Sequence, residues 1–370
     1  MKYYLIAGEA SGDLHGSNLI KALKQQDAEA SFRYWGGDLM QQVGGELVKH
    51  YRELAFMGFI EVIFNLRTIF NNISFCKKDI EKFNPDVIIF IDYPGFNMRI
   101  LKWAKQRGFK THYYISPQIW AWKEGRIKYI KRDVDTMYII LPFEKDFYEK
   151  KHNFPVHFVG HPLIDAISNH IQVDPKTFCS ENGMDDRPII ALLPGSRKQE
   201  ISKMLHVMLT VVEDFNNYQF VIAGAPGQDA SFYAPFIKKQ NVHLLLDKTY
   251  DLLSLCNAAL VTSGTATLET ALFKVPQVVC YKGSRGSYEI AKRIIKLKYI
   301  SLVNLILDRE VVTELIQTEF NPKRLKKELI YILDDYHRAV LFLDYYDLEQ
   351  KLGGKGASEK TAKLIIEAIK

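Results

Sequence analysis

Cysteine is scarce in this sequence: Cys76, Cys179, Cys256 and Cys280 lie far apart and form no C-x-x-C pair. That spacing excludes a disulfide scaffold or a structural zinc knot and suits thiols in a reducing compartment. No segment approaches the roughly 18 uncharged apolar residues that a membrane-spanning helix needs. The apolar start, Tyr3 to Ala7, meets Gly8 and Glu9 at once, too early for the core of a secretory signal. Neither G-x-G-x-x-G nor G-x-x-x-x-G-K-[ST] occurs, so nicotinamide, flavin and P-loop readings lack their fingerprint. Neither sign of charge dominates: 49 basic residues face 43 acidic ones, a net +6. Such an excess suits an anionic membrane surface or a phosphorylated substrate and is too weak to argue for nucleic acid.

What is present is an ordinary folded chain of 370 residues, 47% hydrophobic and 25% charged, long enough at about 150 residues per domain for two to three domains. Residues 2–7 read as a buried strand, and Leu14, Leu19, Ile20 and Leu23 then recur at helical spacing. Apolar strands follow at 86–91, 110–115, 136–141 and 156–159, with helices near 97–107 and 143–151. Polar breakers, Asp174-Pro175, Asn182-Gly183 and Arg187-Pro188, interrupt the pattern around 167–188. It restarts with strands at 188–193, 219–223, 242–246, 258–262 and 277–281. Alternating strands and helices imply parallel sheets covered on both faces, here as two α/β halves in tandem, with a cleft at the carboxyl ends of the strands as the expected site. The expected divisions are 1–170, 171–340 and a C-terminal helical segment 341–370 packing back on an N-terminal domain. Gly353 to Ser358 breaks the chain before the last helix, with Ser358 as its expected N-cap.

Several loops carry residues suited to chemistry. Gly8-Glu9-Ala10-Ser11-Gly12-Asp13 joins the first strand to a helix, where glycine permits a tight turn and free amides can face an anion. Pro194-Gly195-Ser196-Arg197 opens the second half and gathers amides, a hydroxyl and a guanidinium at a helix N-terminus, a set that fits a diphosphate. Thr262 to Glu269 repeats the design: Ser263, Gly264 and Thr265 can hold phosphate oxygens, and Glu269 can accept two ribose hydroxyls. Each also has a plainer reading as a helix cap or a solvated loop. Asp92 ends an apolar strand; it either acts as a general base, its pKa raised by desolvation, or caps a turn. Phe56 to Phe70 is densely apolar, with Arg67, Lys77 and Lys78 beside it; it either packs inside or lies against lipid. Trp120-Ala-Trp122-Lys-Glu-Gly-Arg126 adds aromatic and basic residues suited to a headgroup interface or to a core. No metal is expected: His157 and His161 on an extended segment would stand about 13 Å apart, and Asp133-Val-Asp135 has no third ligand nearby.

Taken together, Gly8–Asp13, Met57-Gly-Phe-Ile-Glu-Val62, Ile91-Asp-Tyr-Pro-Gly-Phe-Asn97, Ser116-Pro-Gln-Ile-Trp-Ala-Trp122, Leu141-Pro-Phe-Glu144, Val159-Gly-His-Pro-Leu163, Leu193-Pro-Gly-Ser-Arg197, Ser263–Glu269 and Val303-Asn-Leu305 resemble the lipid-A-disaccharide synthase family, in family order along nearly the whole chain. The resemblance implies a GT-B fold, two Rossmann-like domains whose parallel sheets face an interdomain cleft, with the acceptor in the N-terminal half and UDP-sugar in the C-terminal half. It implies an inverting, metal-independent glycosyltransferase of lipid A biosynthesis that needs no cofactor and joins UDP-2,3-diacylglucosamine to 2,3-diacylglucosamine 1-phosphate. Its catalytic aspartate, essential arginine and active-site asparagine match Asp92, Arg197 and Asn304; Glu9, Ser11 and Gly12 would line the acceptor side. The family's hydrophobic patch matches the stretch holding Phe59, Ile60, Ile63, Phe64, Leu66, Ile69 and Phe70, which implies peripheral contact with the cytoplasmic face of a Gram-negative inner membrane. Gly95 stands where relatives often carry a second acid. The alternatives are a UDP-sugar epimerase of the same fold, a non-catalytic lipid- or nucleotide-binding protein and, third, an oxidoreductase; exchange of the last helix within a homodimer stays open.

Overall fold

A computed structural model of the chain describes residues 1–54, 66–284, 286, 288–289 and 297–370. These form two compact units, Met1–Asp165 with Leu352–Lys370, and Ala166–Lys351.

In the first unit the elements run β1 (Lys2–Ala7), α1 (Ala10–Gln26), β2 (Ser31–Gly36), α2 (Asp38–Gln42), β3 (Glu46–His50), α3 (Leu66–Phe83), β4 (Val87–Ile91), α4 (Pro94–Gln106), β5 (Lys110–Tyr114), α5 (Ile127–Asp133), β6 (Thr136–Ile139) and β7 (His157–Phe158). Among the described residues the strands form one parallel sheet in the order β3-β2-β1-β4-β5-β6-β7. The centre is apolar on both faces, as a strand covered by helices above and below must be; β4 is buried at every position. Tyr4, Ile6, Ile88 and Phe90 project to the side of the sheet that α3, α4 and α5 cover. Strands β2 and β3 escaped the sequence reading because Ser31, Arg33, Glu46 and Lys49 break their apolar runs, the mark of strands toward a sheet edge.

The second unit holds β8 (Ile189–Leu193), α6 (Lys198–Met208), β9 (Gln219–Gly224), β10 (Val242–Leu246), β11 (Ala258–Thr262), α7 (Thr265–Leu272), β12 (Gln277–Tyr281), α8 (Leu302–Leu307), β13 (Glu314–Ile316), α9 (Pro322–Leu333) and α10 (Asp335–Lys351). Its sheet is also parallel, in the order β10-β9-β8-β11-β12-β13. Helix α10 stays on this unit: Leu341, Tyr345 and Leu348 are buried, Lys274 Nζ meets Glu349 at 2.6 Å and Arg309 meets Asp344 at 2.6 Å. The chain therefore rejoins the first unit at Leu352 and not at 341.

The last helix, α11 (Ala357–Ile369), packs along α1. Its cap residue is Gly356 at φ +95°, a left-handed position that suits glycine, and not Ser358 as expected. The capping acceptor comes from elsewhere in the chain: the Asp165 carboxylate takes the amides of Gly356 (2.7 Å) and Ser358 (3.2 Å). Beside it the His161 amide donates to Leu352 O at 2.9 Å. A cap of this kind is worth about 1 kcal/mol. Asp165→Ala is therefore expected to speed hydrogen exchange of the first turns of α11 by about fivefold; exchange unchanged from wild type would show that packing on α1 alone holds the helix.

Candidate active site

In the first unit the chain leaves β4, between β1 and β5, through two successive left-handed residues, Asp92 (φ +41°) and Tyr93 (φ +46°), before Pro94 starts α4. Non-glycine residues in that region are strained and persist only where their surroundings hold them. Here the Asp92 amide donates to Tyr114 O at 3.1 Å. Its carbonyl accepts from the Tyr113 hydroxyl at 2.6 Å and from Asn97 Nδ2 at 2.7 Å, which uses both lone pairs. The Tyr93 ring stacks on Phe96 with centroids 5.9 Å apart and lies so close over Gly8 that a Cβ there would sit 2.2 Å from it. Only glycine fits at that position.

The Asp92 side chain keeps some exposure, yet removal of water from around its carboxyl pushes its pKa up to about 7, with the charge of Glu9 adding and the Tyr93 amide opposing. A carboxylate so placed holds and releases a proton near neutrality, as a general base must. Pairing of β1 with β4, Ala7 opposite Ile91, is what brings Glu9 and Asp92 into one place. Glu9→Gln removes the added charge, lowers the Asp92 pKa and is expected to move the acid limb of kcat/KM to lower pH. A pH profile with an unmoved limb would show that Glu9 does not act on Asp92 through its charge.

The rest of the Gly8–Asp13 loop divides between exposed and structural roles. Ser11 is exposed and Gly12 is buried against Ala7, where an added Cβ would meet Ala7 Cβ at 3.1 Å. Asp13 is buried, and its carboxylate accepts the amides of Gly37 (2.8 Å), Leu39 (3.0 Å) and Met40 (3.0 Å). It caps α2, a role that sequence reading missed because its partners lie more than twenty residues away. Two further strings are joined in the same manner: Glu144 accepts from the Ser116 hydroxyl at 2.5 Å, Trp120 Nε1 at 3.1 Å and the Leu141 amide at 3.0 Å. Burial pushes its pKa up to about 7 against the pull of these bonds.

The two loops expected as anion cradles leave neighbouring strands of the second unit, since β11 pairs with β8 and Val261 lies opposite Leu193. After β8, Gly195 adopts φ +100°, and Ser196 and Arg197 are exposed at the start of α6. The Arg197 guanidinium is in no ion pair among the described residues. Glu200, three positions into α6, reaches back to accept the Ser196 amide at 3.3 Å, as a glutamate in the first turn of a helix can. A glutamate at that helix position is a signal legible in the sequence.

After β11 the donors of Ser263 are occupied: its hydroxyl donates to Ile300 O at 2.8 Å and its amide to Cys280 O at 3.2 Å. At the N-terminus of α7, Gly264 and Thr265 are both exposed. Glu269 accepts from the Tyr250 hydroxyl at 2.9 Å. Burial raises its pKa, and that bond opposes the rise.

Asn304, expected as an active-site side chain, is fully buried in α8 with its carboxamide saturated. Nδ2 donates to Val312 O (2.8 Å) and Glu314 Oε1 (2.9 Å), while Oδ1 accepts from Val311 (2.8 Å) and Val312 (3.0 Å). Glu314 also takes the amides of Ile300 and Ser301. Asn304 thus shapes the turn whose Ile300 carbonyl receives Ser263.

Of the apolar patch, Phe59, Ile60, Ile63 and Phe64 and the side chain of Leu66 lie outside the described residues. Ile69 packs against the core and Phe70 is exposed. Among the described residues no three His, Cys, Asp or Glu side chains converge as a metal site would require.

The family model described as lipid-A-disaccharide synthetase matches residues 3–368. The chain is 39% identical over 373 residues to the lipid-A-disaccharide synthase of Geobacter metallireducens, covering 99% of this chain and 96% of that one. It is 36% identical over 371 residues to that of Coxiella burnetii, covering 99% and 98%. Among solved structures it is similar to the UDP-GlcNAc 2-epimerase of Neisseria meningitidis bound to UDP-GlcNAc (TM-score 0.66, 13% identity, 100% and 99% covered). It is also similar to the glycotransferase of kitacinnamycin (TM-score 0.64, 12% identity, 99% and 98% covered). At such identities the likeness is one of fold: the GT-B-like arrangement of parallel α/β halves that epimerases and glycosyltransferases share.

Proposed function

Because the chain belongs to the lipid-A-disaccharide synthase family, a family of glycosyltransferases, we propose that it moves 2,3-diacylglucosamine from its UDP ester to the 6-hydroxyl of 2,3-diacylglucosamine 1-phosphate, inverting the anomeric carbon. The observation that carries this reading is the Asp92 carboxylate, held in a strained backbone at the end of β4 with a proton affinity near neutrality.

Asp92 takes the proton of the acceptor hydroxyl as its oxygen attacks the anomeric carbon. The bond from that carbon to the diphosphate oxygen breaks, and its electron pair leaves with UDP. Charge growing on the diphosphate is met by the Arg197 guanidinium and the N-terminus of α7. Glu269, with an oxygen beyond the one that Tyr250 uses, accepts ribose hydroxyls. Asn304 serves as a positioning residue that sets the turn at Ile300. Glu9, Ser11 and Gly12 border the acceptor. No described helix is long and apolar enough to cross a membrane; we propose peripheral contact with the cytoplasmic face of the inner membrane, through the apolar sequence at 57–73.

The test is UDP release from UDP-2,3-diacylglucosamine in detergent with EDTA, with and without 2,3-diacylglucosamine 1-phosphate. Acceptor-dependent release that survives EDTA is expected. Release that ignores the acceptor, or epimerisation of the sugar in its place, would sink the proposal.

A further inference from the structure

Glu269 lies in the second turn of α7, and a short helix, Thr249–Leu255, is packed beside it. Leu252 and Leu253 of that helix share a core cluster with Val261 of β11, and Ala266 of α7 and Phe273 just beyond it pack against the same cluster. Apolar burial thus fixes the spacing of the two helices. Across that spacing the Tyr250 hydroxyl donates to Glu269 Oε1 at 2.9 Å.

The tyrosine ring is itself braced. Its centroid lies 5.2 Å from that of Phe273 and 5.9 Å from that of His170, and His170 lies 5.8 Å from Phe273, so three rings close on one another edge to face. His170 Nε2 stands 3.3 Å from Asp251 Oδ1, on the residue next to Tyr250. A phenol held from two sides has little freedom to leave the carboxylate it meets.

That bond acts on Glu269 in two ways. A glutamate carboxylate turns easily about its last torsion, and pinning Oε1 gives the group a set plane. The bond also pulls the Glu269 pKa back against the rise that burial causes, which favours the ionised form, an acceptor on every lone pair. Residue 269 keeps partial exposure, so a ligand can reach the oxygen that Tyr250 leaves. Two adjacent hydroxyls on a sugar ring are what a fixed, charged carboxylate edge receives best.

We propose that Tyr250 is a positioning residue that makes Glu269 a reader of the ribose 2′- and 3′-hydroxyls, and so sets the preference of this site for a ribonucleotide over its 2′-deoxy counterpart. It rests on the reading above that Glu269 accepts ribose hydroxyls, and it adds what holds the carboxylate to that task and which feature of the nucleotide is selected.

The test is calorimetric titration of the full chain with UDP and with 2′-deoxy-UDP. Wild type is expected to bind UDP about tenfold more tightly or better, the scale of one hydrogen bond to a charged group. Tyr250→Phe keeps the ring packing and loses only the O–H; it should weaken UDP about tenfold and the deoxynucleotide less, which shrinks the preference to about threefold or under. KM for the UDP-sugar should rise with it, and kcat should move less. Glu269→Gln should also erase the preference, and Tyr250→Phe added to it should cost nothing further, because both act through one carboxylate. A preference left whole in Tyr250→Phe, an equal loss of both nucleotides, or a wild type indifferent to the 2′-hydroxyl would overturn the proposal. Glu269→Gln with its preference intact would be a different failure, removing the ribose reading of Glu269 itself.

Discussion

Asp92→Asn is expected to lower kcat by about a hundredfold or more, the scale of a lost general base. Asparagine keeps the volume of the side chain and tolerates the left-handed backbone that Asp92 adopts at φ +41°. The grip of Tyr113 and Asn97 falls on the main-chain carbonyl, so it survives the exchange, and stability should change little. Asp92→Ala should fall further, because alanine is less at ease in that conformation and the geometry loosens as well. KM for the UDP-sugar should stay within about twofold, since the elements proposed to hold it belong to the second unit and gain or lose no contact. Turnover by Asp92→Asn within a few fold of wild type would remove Asp92 from the chemistry and leave it as a residue that shapes the turn.

The second large effect is expected at Arg197. Its guanidinium is exposed and in no ion pair among the described residues, so Arg197→Ala should leave the melting temperature near that of wild type, within the ~0.5 kcal/mol usual for surface changes. Yet kcat/KM should drop by roughly 10² to 10³, as for removal of one donor aimed at developing charge. Inhibition by UDP should weaken in parallel, because the leaving group and the free product present the same diphosphate. Arg197→Lys keeps the charge without the planar fork that grips two phosphate oxygens, so it should recover only part of the rate. Equal UDP inhibition constants for wild type and Arg197→Ala would remove the arginine from the diphosphate site.

Sequence carried the fold further than the site. Runs such as Val87–Ile91 and Ile189–Leu193 are apolar at every position because helices cover both faces of their strands, and that burial is written directly into residue type. Strands nearer the rim, β2 and β3 with Arg33, Glu46 and Lys49, and the three-residue β13, are part polar or short and leave no such trace. The loops at strand ends were legible because glycines and hydroxyl residues punctuate them. What each side chain does there was not, since it depends on partners remote in sequence. Asp13 is consumed by amides at 37, 39 and 40, Ser263 by the carbonyl of residue 300, Glu269 shares its carboxylate with Tyr250, and Asn304 is spent on 311, 312 and 314. Hydrogen bonds of that reach follow from the fold and not from local pattern.

Helix α11 closes the first unit with residues 357–369, and this separates the order of synthesis of the halves from the order of their completion. Residues 166–351 are all made before the helix that partners α1, so the half begun first is the half whose sequence is completed last. Nascent α1 meanwhile waits with apolar surface uncovered, the period in which a chaperone has most to hold. A premature stop near codon 352 would accordingly harm the distant half that carries Asp92 and spare the nearer one.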